Sequence, residues 1–306
     1  MFHTSLGRSR VFRVMAATTV AAGLAGSVQL ATAGSASASV STVVQAHSVS
    51  DSTTVKKSAT ASCPLGTRVF GGGGDIGGGG HGVALTAMKP ASVLFGGQFY
   101  DSYTAVAEED AAGYAGSWSV YAYAICGSAA NLTIQHVTLA ASPGSDRVQT
   151  GVTCPTGTAP LGIGAEIGNG AGHVVLNALL GNYTPNAFGQ LTGFASGGAF
   201  VDEHGYSGSW NLSVYAVCAT PLPGLSYRFA DSANNTTDDK TAHVDCPSGT
   251  RAYGSGGYVS YLNGQVHFDR MVPTGSAWTA ADVEARTDQD GFGYPWFTEV
   301  EVICAA

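Results

Sequence analysis

Cys63-Pro64-Leu65-Gly66-Thr67 opens a unit that Trp118-Ser119-Val120-Tyr121-Ala122-Tyr123-Ala124-Ile125-Cys126 closes. The chain writes the same pair of marks twice more. Cys154-Pro155-Thr156-Gly157-Thr158 is answered by Trp210 and Cys218, and Cys246-Pro247-Ser248-Gly249-Thr250 by Trp296 and Cys304. Glycines recur at fixed offsets between them: Gly71 and Gly73, Gly162 and Gly164, Gly254 and Gly256. All six cysteines are consumed by these marks. A long period repeated three times is the signature of a repeat architecture. One opening and one closing cysteine per unit predicts the disulfides Cys63–Cys126, Cys154–Cys218 and Cys246–Cys304, with pairing between units as the alternative.

Working outward, short runs rich in Val, Tyr, Thr and Phe are broken by Gly, Asn, Asp and Pro, which reads as strands. No window carries apolar residues at helical spacing between caps. In the closing strands Trp118, Val120, Ala122, Ala124 and Cys126 share one face, because side chains alternate. Trp210, Leu212, Val214, Ala216 and Cys218 match them, as do Trp296, Thr298, Val300, Val302 and Cys304. That face is expected in the core. The opposite face, with Tyr121, Tyr123, Glu299 and Glu301, is expected to be wet. The repeats are cut at 42–130, 131–224 and 225–306, the last boundary following Pro221-Leu222-Pro223-Gly224. The expected fold is all-β: three tandem disulfide-stapled β-sandwich-like repeats, with a single threefold β-prism as the alternative. Units this long exceed a β-trefoil repeat of roughly forty residues.

The first 38 residues read as an export signal. Arg8, Arg10 and Arg13 precede an uncharged apolar and small-residue run, and Ala36-Ser37-Ala38 supplies a small-x-small cleavage site. The run is short for a permanent membrane anchor, and no later stretch is long and apolar enough to span. Export agrees with paired cysteines, and no C-x-x-C spacing suggests a metal cage. Removing this segment removes three Arg and no acid, leaving 10 Lys+Arg against 21 Asp+Glu, a net charge of −11. Such a chain repels phosphate backbones, so nucleic acid is not an expected partner. The expected partners are a cell-wall or extracellular glycan, or further copies of the chain.

The candidate sites are few. The Gly71–Gly74 and Gly77–Gly80 runs lack the following helix of a phosphate loop, so they read as close backbone approach at a strand crossing or as a bulge. Asp110, Asp202 and Asp288 each lie eight residues before the repeat Trp, with Glu108, Glu109, Glu203 and Asp290 nearby. They are expected to cap turns, with calcium as the alternative, its ligands Asp110, Asp202, Asp288 and Asp290. Tyr121, Tyr123, Tyr215 and Trp278 are the candidate stacking platform for a sugar. No G-x-S-x-G elbow, H-E-x-x-H or repeated Ser-His-Asp set is present, and triplication is foreign to a catalytic site. No catalytic residues and no cofactor are therefore expected. The chain reads as a secreted, non-enzymatic surface, matrix or adhesion protein. A lectin-like binder is the second reading and a glycan-active enzyme the third.

At these marks each unit resembles a module that recurs in secreted and surface proteins of actinobacteria: Cys-Pro-x-Gly-Thr, a Gly-rich strand, then Trp and a Val-Tyr-Ala-x-Cys-Ala ending. Similar units stand at the ends of collagen-like or fibre-like bacterial proteins. Here the motif is Cys63 to Thr67 with Val120 to Cys126, and Cys154 to Thr158 with Val214-Tyr215-Ala216-Val217-Cys218-Ala219. The third unit departs at Val300-Glu301-Val302-Ile303-Cys304-Ala305. The resemblance covers nearly all of the chain after the export segment and implies a structural or binding module without assigned catalytic residues. A threefold likeness to vitelline membrane outer layer proteins carries the β-prism alternative.

Overall fold

The structure, a computed structural model, describes residues 39–129, 131–185, 191–260 and 264–306. The expected export segment 1–38 lies outside the described residues. The described residues form one compact unit, built from six strands per repeat. The first repeat holds β1 (Ser39–His47), β2 (Lys56–Ser62), β3 (Arg68–Gly77), β4 (Val83–Phe95), β5 (Gln98–Glu109) and β6 (Ser119–Ser128). The second holds β7 (Thr133–Ala140), β8 (Arg147–Thr153), β9 (Ala159–Gly168), β10 (Val174–Pro185), β11 (Leu191–Val201) and β12 (Asn211–Ala219). The third holds β13 (Ser226–Asp231), β14 (Asp239–Asp245), β15 (Arg251–Val259), β16 (Val266–Thr274), β17 (Ala280–Thr287) and β18 (Thr298–Ala305). Among the described residues the one helical element is the 3-10 turn Gly80–Gly82.

The two arrangements expected from the sequence merge. Within the first repeat the half-sheets β1-β6-β3 and β2-β5-β4 pack against each other as a small sandwich. A disulfide from Cys63, just after β2, to Cys126 of β6 staples the two layers. Cys154–Cys218 and Cys246–Cys304 do the same in the other repeats, with Cα–Cα distances of 5.6 and 5.7 Å. Each half-sheet then continues into a neighbour. The three six-stranded antiparallel sheets run β2-β5-β4-β9-β12-β7, β13-β18-β15-β10-β11-β8 and β1-β6-β3-β16-β17-β14. Every sheet takes half its strands from one repeat and half from another, so the three sandwiches close a ring.

The joints are short and local. Only two residue pairs link β4 to β9, two link β10 to β15, and two link β16 to β3. Each follows a register shift, at Leu85/Ala87, Leu176/Ala178 and Phe268/Arg270. A bulge bends its strand and increases the local twist, which turns the strand toward its neighbour. The recurring glycines make the joints possible. A Cβ on Gly73, Gly164 or Gly256 would strike the carbonyl of Met271, Met88 or Leu179 respectively, in the neighbouring strand. Gly71, Gly162 and Gly254 meet where all three repeats converge. Their added Cβ atoms would hit Tyr253 O, Phe70 O and Leu161 O. Close backbone approach is thus what both glycine positions serve.

The inward face of the closing strands is core. Trp118, Trp296 and all three closing cysteines are fully buried, and Trp210 is 3% exposed. Trp118 Nε1 donates to Glu109 Oε1 at 2.9 Å. The expectation of a wet opposite face needs correction at the third repeat. Glu301 is fully buried, because Gly181 of β10 comes over it and donates its N–H to Oε2 at 2.7 Å. Burial raises the Glu301 carboxyl well above its ordinary range.

Candidate functional site

The acidic loops converge. Asp110, Asp202 and Asp288 follow β5, β11 and β17, and each backbone N–H donates within its own repeat, to Gly82 O, His173 O and Gln265 O at 2.8–3.0 Å. The segment leading into the next strand of one repeat then lies on the acidic loop of another. A Cβ on Gly172 would sit 2.7 Å from Glu109 O, and one on Gly264 would strike Val201 O. His81 Nδ1 lies 2.8 Å from Thr287 O. These three contacts close a second ring, and the three equivalent aspartates surround one cavity of about 130 Å3 to which all three repeats contribute.

Each aspartate is partly spent on its own loop. Asp110 Oδ1 accepts from the N–H groups of Ala112 and Gly113 at 3.0 and 2.9 Å, and Asp288 Oδ1 from Asp290 N at 3.2 Å. Asp202 Oδ2 is 2.9 Å from His173 Nδ1, and its Oδ1 is buried without a partner. Burial pushes Asp110 up, with Asp202 and Glu109 adding repulsion. Burial likewise pushes Asp288 up to about 7, helped by the charges of Glu203 and Asp290. Among the described residues no lysine or arginine lines the cavity.

The inner wall is different in kind. Val83, Ala84, Val174 and Val175 line it, together with Thr86 and His267. Thr86 and His267 are each 3% exposed, and Thr86 Oγ1 and His267 Nε2 have no hydrogen-bond partner. His267 occupies the position that Ala84 and Val175 hold in the other repeats, so one of three equivalent wall positions is polar. Burial, with His81 and Arg286 adding positive charge nearby, pushes His267 down to about 3. Its imidazole is therefore neutral at physiological pH.

Among the described residues, one set of three His, Asp, Glu or Cys side chains brings a donor atom each to within 4.8 Å: Glu203, His204 and Asp290. All three are exposed and line the cavity. His204 Nδ1 is 3.0 Å from Glu203 Oε1, and its Nε2 is 4.0 Å from Asp290 Oδ2. Of the four carboxylates considered for calcium, only Asp290 belongs to that set. Asp110, Asp202 and Asp288 surround the cavity without meeting at one point.

The aromatic candidates are dispersed. Tyr121 and Tyr123 belong to the sheet containing β6, and Tyr215 to the sheet containing β12. Tyr121 lies 5.5 Å, centroid to centroid, from the His47 ring, and Tyr123 accepts a hydrogen bond from Gln45 Nε2. Tyr215 stacks on His136 and donates to Glu166 at 3.1 Å. Trp278 has a left-handed backbone, φ 57°, in the turn between β16 and β17. The structure thus brings together the acids that the sequence singled out and separates the aromatics. His267 and Thr86 were missed, and their signal was faint: polar residues on strands whose neighbours are apolar.

No protein-family model matches this chain, and no curated protein sequence matches it.

Proposed function

We propose that this chain is a secreted, non-enzymatic binding protein whose ligand sits in the cavity at the meeting of the three repeats. The observation that carries this is the pair of buried, unpartnered polar atoms, Thr86 Oγ1 and His267 Nε2, in the otherwise apolar inner wall of a cavity with an acidic rim. Orphaned buried polar groups are costly, and a ligand that meets them recovers that cost. Triplication then serves to assemble one site from three loops. Export is supported by three disulfides, which suit an oxidising compartment, and among the described residues no helix is long and apolar enough to cross a membrane. The test is a fragment screen by ligand-observed NMR on the chain and on Val175→Phe, which fills the cavity. The expected hits bind once per chain and vanish in the variant. Hits that survive filling, or that bind three times per chain, would overturn the reading.

A second reading, a surface or matrix role through self-association, is favoured by one feature. The β4–β5 hairpin tip exposes Val93, Leu94, Phe95, Phe99 and Tyr100, beyond the reach of the β2 and β9 pairings. Apolar strand edges of this kind pair with further copies unless protected. Sedimentation of the chain against Phe95→Ser decides it, since self-association through the tip gives a concentration-dependent mass that the variant lacks.

A further inference from the structure

We infer that the cavity takes a small organic cation: a ligand with an ammonium group and a short hydrocarbon body. This rests on the reading of the cavity as the binding site and adds the chemistry of its occupant. The rim and the wall each narrow the choice. The rim carries Asp110, Asp202, Glu203, Asp288 and Asp290 and, among the described residues, no lysine or arginine. Anions such as carboxylates and phosphates are therefore repelled at the mouth.

The wall argues against a bare metal ion. A hydrated divalent ion gains nothing from Val83, Ala84, Val174 and Val175, whereas a hydrocarbon gains about 25 cal/mol for each Å2 it removes from water. Among the described residues the one cluster with ion-sharing spacing, Glu203, His204 and Asp290, is exposed at the rim and not inside. Size agrees. An apolar cavity of roughly 150 Å3 accepts benzene, so about 130 Å3 suits a ligand of similar bulk.

Thr86 and His267, each 3% exposed and each with an unpartnered polar atom, mark the interior as a place built to be filled. A neutral imidazole and a hydroxyl can both accept a hydrogen bond from a charged donor, so the inner polar atoms and the outer carboxylates favour the same ligand charge.

The experiment is a matched probe series on the intact exported chain: butylammonium chloride, 1-butanol and sodium butyrate, followed by calorimetry and by thermal shift. Butylammonium is expected to saturate at one per chain and at least about tenfold more tightly than 1-butanol, with no binding of butyrate. In Asp202→Asn/Asp288→Asn, which keeps the side-chain shapes, that preference is expected to collapse to about twofold or less. Val175→Phe should abolish binding of both. Should that variant fail to fold, Ala84→Leu is the second filling variant. Equal binding of butylammonium and 1-butanol would overturn the inference about charge while leaving the cavity as the site. Saturable binding of calcium or zinc chloride without any binding of butylammonium would overturn it in favour of a metal site. No binding of any probe, while the fragment screen still finds cavity ligands, would also overturn it without touching the binding reading.

Discussion

Replacing Gly162 with Ala should unfold far more than one repeat. The added Cβ would strike Phe70 O, with Gly71 Cα at 2.6 Å and Phe70 C at 2.8 Å. All three obstacles are backbone atoms of β3, in another repeat, so no side-chain rotation relieves them. Strand β3 would have to move, yet it is held by β6 on one side and β16 on the other. Overpacking costs about 1–3 kcal/mol where side chains can adjust, and here the backbone must shift, so a loss of about 3 kcal/mol or more is expected. Gly157 in the same repeat is the control. Its φ is +80° with nothing within 4 Å of a Cβ, so Ala there should cost about 1–2 kcal/mol from the left-handed backbone alone. The assay is urea denaturation followed by tryptophan fluorescence, since Trp118, Trp210 and Trp296 report one repeat each from buried positions. Both variants should show one transition, with that of Gly162→Ala at markedly lower urea. A Gly162→Ala loss within about 0.5 kcal/mol of that of Gly157→Ala, or melting in two steps with two repeats left intact, would contradict a backbone clash at this crossing.

Trp210→Ala should cost about 3–5 kcal/mol, and because the sheets are shared, limited proteolysis should attack all three repeats together and not the middle one alone. Cys154→Ser/Cys218→Ser opens a closed loop of 64 residues, worth about 4 kcal/mol on the chain-entropy account, and chemical denaturation should show a loss of that order. Burial raises the Glu301 carboxyl, and raises Asp269 to about 7. Acids with raised folded pKa values contribute stability that is fully present below the ordinary carboxylate range and is lost as pH rises through the folded value. The melting temperature should therefore be higher at pH 5 than at pH 8, and Glu301→Gln should narrow that gap. Adding calcium or a chelator should leave the melting temperature unchanged, because Asp110 and Asp288 already spend an oxygen each on capping their turns; a rise with calcium would contradict that role.

Much of this fold is written locally. The Trp-to-Cys alternation places Trp118, Val120, Ala122, Ala124 and Cys126 on one face by strand geometry alone, and the cysteine pairs follow from the repeat. Gly71, Gly162 and Gly254 announce close approach or a bulge, and the register shifts at Val69/Gly71 and Ala252/Gly254 show that both occur. What they approach is not local. That Gly71 faces Tyr253 O depends on the order in which half-sheets join across repeats, and two-residue joints such as Ala87↔Glu166 and Met88↔Ala165 leave no pattern in the chain. Glu301 shows the cost of reading a strand face in isolation: it alternates as an outward residue, yet Gly181 of another repeat covers it. The same holds for the site. Asp110, Asp202 and Asp288 were visible as three equivalent acids, but their convergence on one cavity is a property of the closed ring. Thr86 and His267 gain meaning only once their orphaned atoms are seen.

A binding cavity built where the three repeats meet would report a single ligand from more than one repeat at once. Methyl spectra of the valine- and alanine-labelled chain, recorded during titration with butylammonium chloride, test it most directly. The methyls of Val83, Ala84, Val174 and Val175, drawn from two repeats, are expected to shift together along one isotherm that saturates at one ligand per chain. Shifts confined to methyls outside the cavity, or separate isotherms for the two repeats, would contradict it.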